Sequence, residues 1–157
     1  IYKRRGIALK PLWEGGGQER GLRSGTEYVA GIAGFAKALQ IAEQRKQREY
    51  ARMYVLQCYF LKKLKQALPN IVLQGPPLGT NRIPNNVNIR IPGILAETLV
   101  LYLDERGVAV SAGSACASNK KKESAEGVRF TIGRHTTRAD IDYAVSALCD
   151  SIKTLGA

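Results

Sequence analysis

Residues 87–110 read VNIRIPGILAETLVLYLDERGVAV, and this stretch decides the fold. Val87, Ile89 and Ile91 alternate with Asn88 and Arg90, the pattern of a strand with one buried face. Pro92-Gly93 breaks that strand. Leu95 to Arg106 reads as a helix, with Gly107 placed as its C-terminal cap. Val108-Ala109-Val110 follows as a further strand. Strand, helix and strand in close succession place the chain in the α/β or α+β class.

The same reading extends outward in both directions. Upstream, Ile71-Val72-Leu73 is a short strand. Glu27 to Leu68 runs 42 residues without proline, and Pro69 stops it. Ile32, Phe35 and Leu39 share one helical face there, and Met53, Leu56, Phe60 and Leu64 share another. The nearly all-polar stretch from Glu43 to Arg52 between them leaves two options open, one long helix or two with a kink. Residues 11–26 (PLWEGGGQERGLRSGT) form an irregular glycine-rich loop. Downstream, Val128-Arg129-Phe130-Thr131-Ile132 alternates again. The last helix starts at Thr137, where Thr137 and Asp140 resemble a capping box, although the usual partner is Glu or Gln. Ile141, Val145, Leu148 and Ile152 form its apolar stripe. Helices should therefore cover one face of a small sheet.

Composition narrows the class further. The chain has 157 residues, 45% of them apolar, which suits one globular domain. No apolar run approaches the ~20 residues that span a bilayer, and Lys3-Arg4-Arg5 leads into no signal-peptide core. Three cysteines exclude a disulfide scaffold and point to a reducing cytoplasm. The only methionine is Met53, so the chain reads as a piece of a longer protein. The net charge of +11 is spread over small clusters such as Arg45-Lys46-Arg48 and Lys120-Lys121-Lys122. No zinc-finger spacing or RNP-type motif accompanies them, so they read as solvated faces rather than a nucleic-acid surface.

Three places could carry chemistry. Cys116 sits among Gly, Ser and Ala with three lysines soon after, surroundings that leave a thiol accessible and favour the nucleophilic thiolate. Cys58 and Cys149 lie on helices among apolar neighbours and read as packing residues. Arg129 points away from the Val128, Phe130 and Ile132 face, where a guanidinium can clamp a carboxylate. The loop Gly15-Gly16-Gly17 with Arg20, Arg23, Gly25 and Thr26 could surround a phosphate just ahead of a helix N-terminus. His135, the only histidine, reads as structural, and no metal site is expected.

The order GGGQERGLRSGT, SAGSAC, VRFTIGRHTT and then a D-I-D-Y helix resembles the C-terminal part of NifS/IscS-type cysteine desulfurases. These are class V aminotransferase-group enzymes of pyridoxal-phosphate fold type I. The resemblance implies a small C-terminal α/β domain at residues 69–157 and a long linking helix at 27–68. Residues 1–26 would be the trailing edge of a large cofactor-binding domain. It implies that Cys116 attacks the sulfur of L-cysteine and carries a persulfide, with L-alanine released. Arg129 would hold the substrate carboxylate, and Thr26 the cofactor phosphate across a homodimer interface. The persulfide would pass to an iron–sulfur scaffold or a tRNA-thiolation protein.

In such enzymes the cofactor lysine lies in a Ser-x-His-Lys type segment upstream of the glycine-rich loop. No lysine of this chain matches it, so the isolated chain is expected to be inactive. Only eleven residues, Ala117 to Gly127, separate Cys116 from Val128, fewer than is usual, which would shorten the reach of Cys116. The competing readings are a stand-alone sulfur-relay or binding module and a basic nucleic-acid-binding domain. Exposed apolar surface is expected near the start of the chain.

Overall fold

The structure, a computed structural model, describes residues 1–79, 81–113 and 127–156. Among these residues it carries three α-helices, α1 (Val29–Ala67), α2 (Ala96–Glu105) and α3 (Arg138–Thr154). Four strands accompany them, β1 (Val72–Leu73), β2 (Asn86–Arg90), β3 (Ser111–Ala112) and β4 (Gly127–Thr131). The strands form one sheet in the order β1-β2-β4-β3, antiparallel throughout. Antiparallel pairing selects α+β from the two classes the sequence left open.

The chain divides into two compact units, Ile1–Arg45 and Lys46–Ala157. In the second, the alternation of β2 and β4 places Val87, Ile89, Val128 and Phe130 on one face of the sheet, all buried. They share a core with Leu56, Phe60 and Leu64 of α1, Leu99 and Leu103 of α2, and Ile141, Val145 and Leu148 of α3. The Phe60 and Phe130 rings meet edge to face, with centroids 5.1 Å apart. Helices thus cover one face of the sheet and leave the polar face free of their side chains.

Each helix begins or ends where local chemistry directs. Val29–Ala67 is one uninterrupted helix that runs through the polar stretch before Met53. The α3 capping box forms with aspartate in the reciprocal role. Thr137 Oγ1 accepts from the Asp140 N–H at 3.2 Å, and Asp140 Oδ2 accepts from the Thr137 N–H at 2.8 Å. The Thr137 N–H first, then the Thr137 hydroxyl, which donates to Asp140 Oδ2 at 2.8 Å, hold the Asp140 carboxyl below its ordinary pKa. At the end of α2, Gly107 N–H reaches Asp104 C=O at 2.8 Å and Val108 N–H reaches Leu103 C=O at 2.8 Å. This closure requires the left-handed backbone of Gly107, φ +71°.

The strand expected at Val108–Val110 is displaced to Ser111–Ala112. Val108 and Val110 still pack on the core, but the helix-terminating turn uses the Val108 N–H. The pairing with β4 begins only at Ser111, opposite Arg129.

The Ile1–Arg45 unit has no buried residue among those described. Its glycine-rich loop is held by Ser24, whose hydroxyl donates to Gly16 C=O at 3.1 Å, and by Arg23, whose guanidinium lies 5.1 Å from the Trp13 ring centre. Ile32, Phe35 and Leu39 are exposed, as are Leu12 and Trp13, in keeping with the apolar surface expected near the chain start.

Candidate active site

The opposite face of the sheet carries Asn86, Asn88 and Arg90 from β2, Arg129 and Thr131 from β4, and Ser111 from β3. Register makes Arg129 its centre, with Asn88 directly opposite on one side and Ser111 on the other. Arg129 is half-buried, and among the described residues its guanidinium has no hydrogen-bond or ion-pair partner. A fork of N–H donors on a rigid central strand suits a carboxylate, because the strand fixes its root and the face leaves its tip accessible.

The described chain stops three residues before the second candidate, Cys116. Gly113 N–H donates to Gly127 C=O at 2.7 Å, which ties the end of β3 to the start of β4. Gly127 lies two residues before Arg129, and Cys116 follows Gly113 by three residues in sequence. Cys116 itself lies outside the described residues. Of the other cysteines, Cys149 packs against the core and burial pushes its thiol pKa up, which disfavours the thiolate. Cys58 is half-buried.

The third candidate, Thr26, is exposed in the Ile1–Arg45 unit. It follows Gly25, whose φ is +102°, and precedes the first residue of α1 by three positions. A hydroxyl beside a helix N-terminus suits a phosphate edge. His135 is exposed in the turn before α3. No cluster of metal-ligating side chains occurs among the described residues, and none of their helices is long and apolar enough to cross a membrane.

Three supporting side chains were not singled out from the sequence. Arg52 of α1 donates to Thr136 C=O at 2.9 Å and Gly133 C=O at 3.0 Å, fixing the turn between β4 and α3. Arg82 is buried and points its guanidinium at the carbonyls of Pro76, Asn86 and Gln74, while burial lowers its pKa. Gln57, fully buried on α1, donates to Ile83 C=O at 3.1 Å and Asn86 C=O at 2.8 Å. Together Arg82 and Gln57 set the start of β2. Arg52 and Gln57 act on carbonyls distant in sequence, and Arg82 on loop carbonyls close to it, and no periodic spacing announces either.

An antiparallel sheet with helices on one face and an arginine at the centre of the other defines a small α+β domain, and the family it comes from can be given. The aminotransferase class-V family model matches residues 11–144, and the chain belongs to that family. The cysteine desulfurase IscS of Dictyoglomus turgidum is 37% identical over 161 residues, covering 94% of this chain and 40% of the relative. Cysteine desulfurase 2 of Trichormus variabilis is 35% identical over 170 residues, covering 100% of this chain and 42% of the relative. A solved NifS-like protein superposes with a TM-score of 0.82 at 29% identity, covering 98% of this chain and 41% of that one. The chain therefore spans about two fifths of the length of the curated relatives it matches. The Trichormus match runs 170 residues against the 157 here, a difference of 13.

Proposed function

We propose that the complete protein to which this chain belongs is a cysteine desulfurase, and that the chain supplies the sulfur-accepting thiol and the substrate clamp. One observation carries the reading. Arg129 stands half-buried and unpartnered among the described residues, between β2 and β3 and two residues from Gly127, which bonds Gly113, three residues before Cys116 in sequence.

In this reading Arg129 binds the α-carboxylate of L-cysteine and orients its Cβ–Sγ bond. The Cys116 thiolate attacks the substrate sulfur, and an S–S bond forms as the C–S bond breaks. The carbon keeps the electron pair and takes a proton, so L-alanine leaves and Cys116 holds a persulfide. The family implies pyridoxal phosphate, which supplies the electron sink for that cleavage when bound. The chain's own residues fit only the phosphate edge of that group, at Thr26 and the start of α1. The lysine and the ring pocket belong to the rest of the protein.

Residues 1–26 are assigned to the large domain, 27–68 to the linking helix and 69–157 to the small domain. A homodimer places Thr26 at the partner's cofactor. The persulfide goes to an acceptor protein of iron–sulfur assembly or tRNA thiolation, in a cytoplasm that keeps thiols reduced. Only eleven residues, Ala117 to Gly127, separate Cys116 from Val128, which shortens the reach of Cys116.

The test uses the complete protein loaded with pyridoxal phosphate. L-alanine release from L-cysteine, with one sulfur atom gained on Cys116 by mass spectrometry, is the expected result. Cys116→Ser abolishes both. Persulfide on Cys58 or Cys149 instead would sink the assignment.

A further inference from the structure

Asn88 and Arg129 face each other across β2 and β4. Gln74 N–H donates to Asn88 C=O at 2.8 Å, so the Asn88 backbone points toward β1. Toward β4, Asn88 and Arg129 are therefore a non-hydrogen-bonded pair, the kind in which Cα atoms approach to about 4.5 Å and side chains lie closest. The Asn88 Oδ1 atom is buried and has no hydrogen-bond partner. A buried acceptor left empty costs free energy, so one that persists beside an unpartnered five-donor group asks what it is kept for.

Gly127 gives a second, independent sign. Its φ is not in the left-handed region, so glycine is not required there for backbone conformation. A Cβ at that position would overlap the Asn88 Oδ1. The missing side chain makes the room in which the amide sits.

We infer that Asn88 is a positioning residue for Arg129: its Oδ1 accepts one guanidinium N–H and so turns the opposite edge of the fork toward the substrate carboxylate. This rests on the carboxylate-binding reading of Arg129. Arg129 swings on several rotatable bonds, and fixing one edge removes the freedom that carboxylate binding would otherwise have to restrict. Ser111, on the other flank of Arg129, is exposed and offers no such buried acceptor.

The test compares wild type, Asn88→Ala, Arg129→Ala and the double variant in the complete, cofactor-loaded protein. KM and kcat are measured with L-cysteine. Calorimetry measures the affinities for L-alanine, which carries the carboxylate, and for ethylamine, which lacks it. Asn88→Ala should weaken L-cysteine KM and L-alanine affinity about tenfold, the effect of one charge-assisted hydrogen bond. kcat should stay within about twofold, as for a lost binding interaction, and ethylamine affinity should not change. In the Arg129→Ala background Asn88→Ala should add nothing.

Gly127→Ala, which displaces the amide without removing it, should reproduce the KM effect, and that effect should vanish when Asn88 is already alanine. Equal weakening of L-alanine and ethylamine overturns the inference, as does an Asn88→Ala effect that survives in Arg129→Ala. If Arg129→Ala weakens L-alanine but Asn88→Ala does not, Asn88 alone fails. If Arg129→Ala itself does not separate L-alanine from ethylamine, the carboxylate reading fails and takes the role of Asn88 with it.

Discussion

The two units of the chain solve opposite problems. Every buried apolar side chain among the described residues lies in Lys46–Ala157, where three helices and a sheet share one core. Ile1–Arg45 buries none and exposes Trp13, Tyr28, Ile32, Phe35 and Leu39. Both contain helix with apolar residues at helical spacing. Periodicity therefore states that a helix has an apolar face, and only tertiary structure states whether anything covers it.

The largest test of that contrast is excision. A chain cut to residues 46–157 should unfold cooperatively on heating, because its core is complete. Residues 1–45 alone should show no cooperative transition by circular dichroism. A cooperative first segment, or a molten second one, would break the comparison.

Single substitutions sharpen it. Leu64→Ala removes a side chain at 0% exposure and should cost about 2–5 kcal/mol by urea denaturation. Phe35→Ala removes a larger one at 71% exposure and should change the stability of this chain by no more than about 0.5 kcal/mol. Equal effects would mean that Phe35 is covered after all.

A smaller loss is expected at Arg52. Arg52→Ala deletes two bonds to the Gly133 and Thr136 carbonyls and should cost about 1–2 kcal/mol. Arg52→Lys should recover only part of this, because an ammonium cannot span both carbonyls in the fork geometry. Full recovery would show that charge rather than geometry holds the turn.

The smallest effect is a pH-dependent one. Asp142 accepts from Lys63 Nζ at 2.9 Å and from the Tyr59 hydroxyl at 2.8 Å. The Lys63 bond chiefly, then the Tyr59 bond, holds the Asp142 pKa below its ordinary value, and Asp142 in turn raises that of Lys63. A depressed carboxylate pKa contributes stability that is present above the unfolded pKa and lost as pH falls through the folded one. Asp142→Asn should therefore be less stable than wild type at neutral pH, with the gap closing in the acid range below ordinary carboxylate values. The pair is exposed, so the gap should be small and should shrink in salt. A gap that persists unchanged in acid would assign it to packing.

Much of this was legible because it is local. The Thr137–Asp140 cap, the Gly107 terminus, the β2 and β4 alternation and the α3 stripe each rest on residues a few positions apart, and each formed. The third strand was misplaced because its pairing depends on where the turn after α2 releases the chain, and that turn uses the Val108 N–H. The side of β4 that carries Arg129 was readable from period 2, but its neighbours were not. Asn88 lies 41 positions away in sequence and becomes the partner of Arg129 only through register.

By itself, then, the sequence determined the kinds of element and their order and offered the candidates for chemistry, since propensity, capping and periodicity act over a few residues. Tertiary structure decided that α1 runs on as one helix, which of its apolar stripes is buried, that Arg52 and Gln57 hold distant carbonyls, and that an unpartnered amide oxygen lies opposite Arg129. Those outcomes depend on which surfaces meet, and surfaces meet through strand pairing and packing between residues that no local pattern links.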